Sequence, residues 1–201
     1  MADITDPKAM RALAHPLRIQ LLEALLTKGE ATATVLADMV NESPSNCSFH
    51  LRKLAQHGYI ERADDAAGRE KPWRVVDPTQ NFVGDSDDPQ SLQASTAVSA
   101  AFREWDVARM RAADGRPNPK QWRGTTFQRG ATMYLTPDEA KGIEAGLAAL
   151  VEPYLERLTD PSKRPDGGGL VRLFAATTYL IEYQDQLDAE QRERAAARNE
   201  S

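Results

Sequence analysis

Ser43-Pro44-Ser45-Asn46-Cys47-Ser48-Phe49-His50-Leu51-Arg52-Lys53-Leu54-Ala55-Gln56-His57-Gly58 is the stretch whose reading decides the fold. Ser43 can cap a helix, Pro44 suits its first position, and Gly58 closes it. At about 100° per residue, Cys47, Leu51 and Leu54 fall on one narrow sector that should face a core. Ser45, Phe49, Arg52 and Gln56 fall on the opposite sector, flanked by Asn46, Ser48 and Lys53. Small polar groups, one aromatic ring and two cations on an outward face suit a DNA major groove. Ser and Asn can bond base edges, Phe49 can meet a thymine methyl, and Arg52 and Lys53 can reach phosphate or guanine.

Upstream, residues 41–44 (Asn-Glu-Ser-Pro) form a tight turn after a shorter helix over residues 32–40. Val35, Leu36, Met39 and Val40 are expected on its inner side. Two short helices joined by about four residues make a helix-turn-helix unit. Earlier still, residues 6–14 suit a short helix that His15-Pro16 interrupts. A second helix starts at Pro16, buries Leu17, Leu21, Leu22, Leu25 and Leu26, and stops at Gly29.

Downstream of Gly58, residues 59–62 (Tyr-Ile-Glu-Arg) read as a strand, 63–70 as a polar tip and 71–76 as a second strand containing Trp73 and Val75. A hairpin directly behind a helix-turn-helix is a wing. Arg69 and Lys71 on it are candidates for phosphate or minor-groove contact.

Taken together, His15-Pro16 with Arg18, then Ser48-Phe49-His50-Leu51 with Leu54, then Gly58-Tyr59-Ile60 resemble the ArsR-like group of winged-helix regulators over residues 10–78. The resemblance implies a dimer on pseudo-palindromic operator DNA, usually a repressor. It departs at one point: many ArsR-like metal sensors carry paired cysteines in the third helix, and Val35-Leu36-Ala37-Asp38-Met39 has none.

No metal site is expected. Cys47, the sole cysteine, and His50 stand three apart, but zinc normally takes three or four protein ligands. Cys47 reads as core, His50 as a buried-edge hydrogen-bonding group, His15 as the fixer of an interhelix corner, and His57 as a favourable imidazole near a helix C-terminus. The net charge of −5 opposes DNA binding on its face. Its distribution softens that: residues 45–74 hold six basic side chains against four acidic ones. No stretch approaches the roughly 18–20 apolar residues of a membrane span. An acidic start without a secretory pattern and a lone cysteine make the cytoplasm the expected location.

Residues 1–80 are therefore read as the winged helix-turn-helix domain, 81–90 as a linker, 91–183 as a dimerisation and possible effector region, and 184–201 as a charged tail. The fold class is mainly α with small β elements (α+β). In the third region a long helix over 91–113 offers Leu92, Val98, Phe102 and Trp105 as a dimer interface. A strand-helix-strand module follows: 125–135, a helix from Thr136, and 170–181. Thr136-Pro137-Asp138-Glu139 reads as a capping box. Dimerisation is favoured over a sharper alternative, a pocket of Phe102, Trp105, Met133 and Phe174 for an unidentified small-molecule effector. No phosphate-loop or dinucleotide glycine motif, paired carboxylates or nucleophilic triad declares itself, so no cofactor is named and an enzyme is not expected. The partners named are double-stranded DNA and a second copy of the chain, with no membrane. The competing reading is a winged helix used for protein contacts without specific DNA binding.

Overall fold

The computed structural model describes residues 3–63, 71–79 and 81–199. Its N-terminal part is built as the sequence dictates. Asp6 caps helix α1 (Pro7–Leu13) by accepting from the Lys8 amide at 2.9 Å. His15 caps α2 (Pro16–Lys28), its Nδ1 accepting from the Leu17 amide at 3.2 Å. Thr32 caps α3 (Ala33–Val40), and Ser43 caps α4 (Pro44–Gln56), its hydroxyl accepting from the Asn46 amide at 3.2 Å. Between α3 and α4 the chain turns through Asn41, whose φ of 54° is left-handed, a conformation asparagine tolerates well among non-glycine residues.

Five short strands complete the scaffold. Strands β3 (Ile60–Arg62) and β4 (Trp73–Val75) pair antiparallel, with Ile60 opposite Val75 and Arg62 opposite Trp73. Strand β2 (Glu30–Ala31), absent from the sequence reading, adds to the other side of β4, so the wing root is a three-stranded sheet ordered β2-β4-β3. A second unforeseen pairing joins β1 (Asp3–Ile4) in parallel to β5 (Asn81–Phe82). The segment expected as a linker, 81–90, thus begins with a strand tied back to the N-terminus.

Helix α5 (Pro89–Ala113) then lies against α1 and α2. Its Ala94 and Val98, both 0% exposed, belong to the same core as Met10, Leu13, Leu21, Leu25, Leu36, Leu51 and Leu54. Phe82 and Phe102 meet with ring centroids 5.5 Å apart. Trp105 donates its indole N–H to Glu23 at 2.9 Å, and Arg109 pairs with the same carboxylate.

Several expectations are corrected here. On α3 the inward positions are Ala33, Leu36 and Ala37, whereas Val35 and Met39 are exposed. Two helical turns leave the inward sector under-determined, and the small Ala37 permits the close approach to α4. Of the four α5 residues offered as a dimer interface, Val98 has no exposed surface and is core of its own protomer. Phe102 and Trp105 are half-buried against that core, and only Leu92 is open, at 49% exposure. Residues 125–135 and 170–180 form no strand. Each has β-propensity, but a strand exists only through a partner, and neither segment meets one among the described residues. Helix α6 (Pro137–Thr159) opens on the expected capping box, with Glu139 accepting from the Thr136 amide at 2.8 Å. Helix α7 (Ile181–Asn199) takes the tail. No helix is long and apolar enough to cross a membrane among the described residues.

Candidate nucleic-acid interface

Helix α4 has two faces of opposite character. Cys47, Leu51 and Leu54 are fully buried and His50 nearly so, which locks the helix against α2 and α3. The opposite face presents Ser45, Arg52 and Gln56 to solvent, with Phe49 half-exposed at 50%. Phe49, half-exposed between a serine and an arginine, lies outside the hydrophobic core. Ser48, Asn46 and Lys53 sit at the flanks, part-buried.

Local bonds hold some of these side chains. Asn46 donates to Glu42 at 3.1 Å, Ser45 and Ser43 share a hydroxyl contact at 3.2 Å, and Lys53 donates to Gln56 at 3.2 Å. These contacts pre-set rotamers at exposed positions, and each is weak enough to be exchanged for a base or phosphate. Glu42, which reads in the sequence as a surface charge limiting nonspecific DNA affinity, is exposed here and accepts from Asn46.

The wing root is organised by Arg62, whose guanidinium lies 3.7 Å over the centre of the Trp73 ring and bonds the Lys71 carbonyl. Stacking on a buried indole ties β3 to β4 at the wing root. Arg74 is held by Glu61 at 2.8 Å and by Glu30 at 3.9 Å. Lys71 is exposed at the base of the hairpin. Arg69, the other wing candidate, lies outside the described residues.

Behind α4 an imidazole pair joins its His50 to His15, the cap of α2. The His15 and His50 rings lie 4.6 Å apart, and His50 also meets Phe49 edge-on at 5.2 Å. Among the described residues the buried Nδ1 of His50 has no hydrogen-bond partner, and the ring instead packs tilted against His15. Burial, then Arg18, lowers the His15 pKa; burial, then His15 and Arg18, lowers that of His50, against an opposing pull from Glu42. Burial, then Glu42, raises the Cys47 thiol pKa, so it stays protonated. The Tyr59 hydroxyl, pushed up to about 12 by burial first and Asp6 second, donates to the Ala9 carbonyl at 2.8 Å and ties the end of α4 to α1.

The lowered imidazoles have a consequence for stability. The unfolded chain takes up protons near the ordinary histidine value of about 6.5, before the folded one does. The stabilisation is therefore complete above that value and is lost as pH falls from it toward the lower folded pKa. Thermal midpoints of the wild type should decline over that interval more steeply than those of His50→Gln. Parallel declines would show that the pair contributes nothing.

Among the described residues no group of three or more His, Cys, Asp and Glu side chains is gathered as a metal would need. Met133 and Phe174, offered with Phe102 and Trp105 as an effector pocket, are exposed.

A family model described as a helix-turn-helix domain matches residues 13–62, which are 50 of the 201. No curated protein matches the chain. Among solved structures, the chain is similar to the homodimeric winged helix-turn-helix DNA-binding domain of a possible ArsR-family regulator from Mycobacterium bovis. The two are 19% identical over 55% of this chain and 80% of that one, with a TM-score of 0.31. An antimony-specific transcriptional repressor is 26% identical over 49% of this chain and 77% of its own (TM-score 0.32). A MarR-family regulator from Silicibacter pomeroyi is 15% identical over 74% and 81% (TM-score 0.33). Overlaps of this size carry no weight beside the local geometry and the family match. Residues 13–62 are similar to a helix-turn-helix domain, and the β3–β4 hairpin directly behind α4 gives this part of the chain a winged helix-turn-helix fold.

Proposed function

We propose that this protein is a sequence-specific DNA-binding transcription regulator of the cytoplasm, acting as a homodimeric repressor on a pseudo-palindromic operator. Helix α4 enters the major groove. Ser45, Asn46, Ser48 and Phe49 read base edges there, and Arg52 and Lys53 hold the backbone. Lys71 and Arg69 of the wing add phosphate or minor-groove contacts. The observation that carries this reading is the two-faced α4: a capped helix, immobilised by Cys47, Leu51 and Leu54, that offers Ser45, Phe49 and Arg52 outward.

One α4 covers only a half-site, and two must lie about 34 Å apart to read both halves on one side of the duplex. Selection of duplexes from a random pool, followed by footprinting, tests the proposal. The expected outcome is a two-fold-related pair of half-sites bound at least about a thousandfold more tightly than scrambled DNA. Enrichment of no sequence would instead favour a winged helix used for protein contacts.

A further inference from the structure

The core described above ends at Val98. Beyond it, Asp106 alone is buried among the described residues, and α6 buries none of its side chains. Large apolar groups lie open along this half: Tyr134 is 87% exposed, Leu150 65%, Val171 68% and Tyr179 73%. No backbone hydrogen bond among the described residues involves 126–135 or 170–179. The arm is nevertheless anchored. Arg172 makes a bidentate pair with Asp106, both bonds at 2.8 Å, and a side chain at Gly169 would collide with Trp122.

A compact monomer of 22.2 kDa exposes about 9,400 Å². This chain exposes 14795 Å², a surplus of about 5,400 Å². Two copies together carry about 10,800 Å² of such surplus, more than the about 2,000–5,000 Å² that obligate homodimers bury over both partners in interfaces that resemble a divided core. The open residues here are of that composition. A second copy brings an equal surplus, the same apolar groups and the same unpaired backbone, which is what a two-fold interface requires.

We infer that residues 125–187 are the principal interface with a second copy of this chain, the unpaired backbone of 126–135 and 170–179 being satisfied across it. The inference rests on the dimeric reading above and moves the interface from α5, whose apolar stripe is spent inside the protomer, to the C-terminal arm. Arg172 and Asp106 set where the arm leaves α5, and so hold the two DNA-binding domains at a defined separation.

Sedimentation of the full chain at micromolar concentration tests it. The wild type is expected at twice the chain mass, Tyr134→Asp with Leu150→Asp at the monomer mass, and Leu92→Asp on α5 still at twice. A dimer that survives the arm variant but is lost in Leu92→Asp overturns the inference and leaves the dimeric regulator standing. A monomeric wild type overturns the dimeric reading itself. Hydrogen exchange on the unaltered protein covers the case of a misfolded variant. Amides of 126–135 and 170–179 should be protected in concentrated solution and lose protection on dilution to monomer. Free exchange at every concentration would contradict the shared backbone pairing.

Discussion

Leu51→Ala is expected to cost about 2–5 kcal/mol of folding stability, the range for removing a fully buried leucine side chain and leaving a cavity. Leu51 is 0% exposed and sits on the inner face of α4 with Cys47 and Leu54, against α2 and α3. A small domain holds about 5–15 kcal/mol in all, so this one change removes a large share. Binding should fall with it, because the outer face of α4 is only as well positioned as its inner face. Denaturant unfolding followed by far-UV circular dichroism provides the check. The midpoint should drop strongly for Leu51→Ala and by under about 1.5 kcal/mol equivalent for Leu51→Met, which keeps the volume. An unmoved midpoint in Leu51→Ala would mean that α4 is not packed as described.

What the sequence made legible was decided within a turn or two of chain. Ser43, Pro44 and the period of Cys47, Leu51 and Leu54 are local signals, and α4 obeys them. The capping box at Thr136 is equally local, and it forms although α6 buries nothing. Pairings over long separations were not legible. Strand β2 is two residues long, and β1 meets β5 across 78 positions through Asn81 and Asp3, so no periodicity announces either. The same reason explains residues 125–135 and 170–180: composition suggests strands, but only a partner makes one. The α5 stripe was read as an outer interface because its apolar residues are visible in sequence, while the Phe82 and Glu23 that receive Phe102 and Trp105 are not identifiable as their partners. On α4 the outward set was legible from angle alone. Its fine bonding was not, since Glu42 reaching Asn46 depends on the left-handed turn at Asn41.

The central claim is that the outward cations of α4 neutralise DNA phosphates, and a salt titration of Arg52→Ala with Lys53→Ala measures it most directly. Each phosphate neutralised on B-DNA contributes about −0.9 to the slope of log affinity against log salt. Removing two cations should therefore flatten the slope by up to about 2 and weaken binding at low salt roughly 10- to 100-fold. Both positions lie on the solvent side of α4, Arg52 exposed and Lys53 part-buried, so unfolding should not account for the loss. Fluorescence anisotropy on the selected duplex, at several salt concentrations, reads both quantities in one experiment. The double variant should give a weaker, flatter line and an unshifted denaturation midpoint. Wild-type affinity with a wild-type slope would contradict the docking of α4 on DNA.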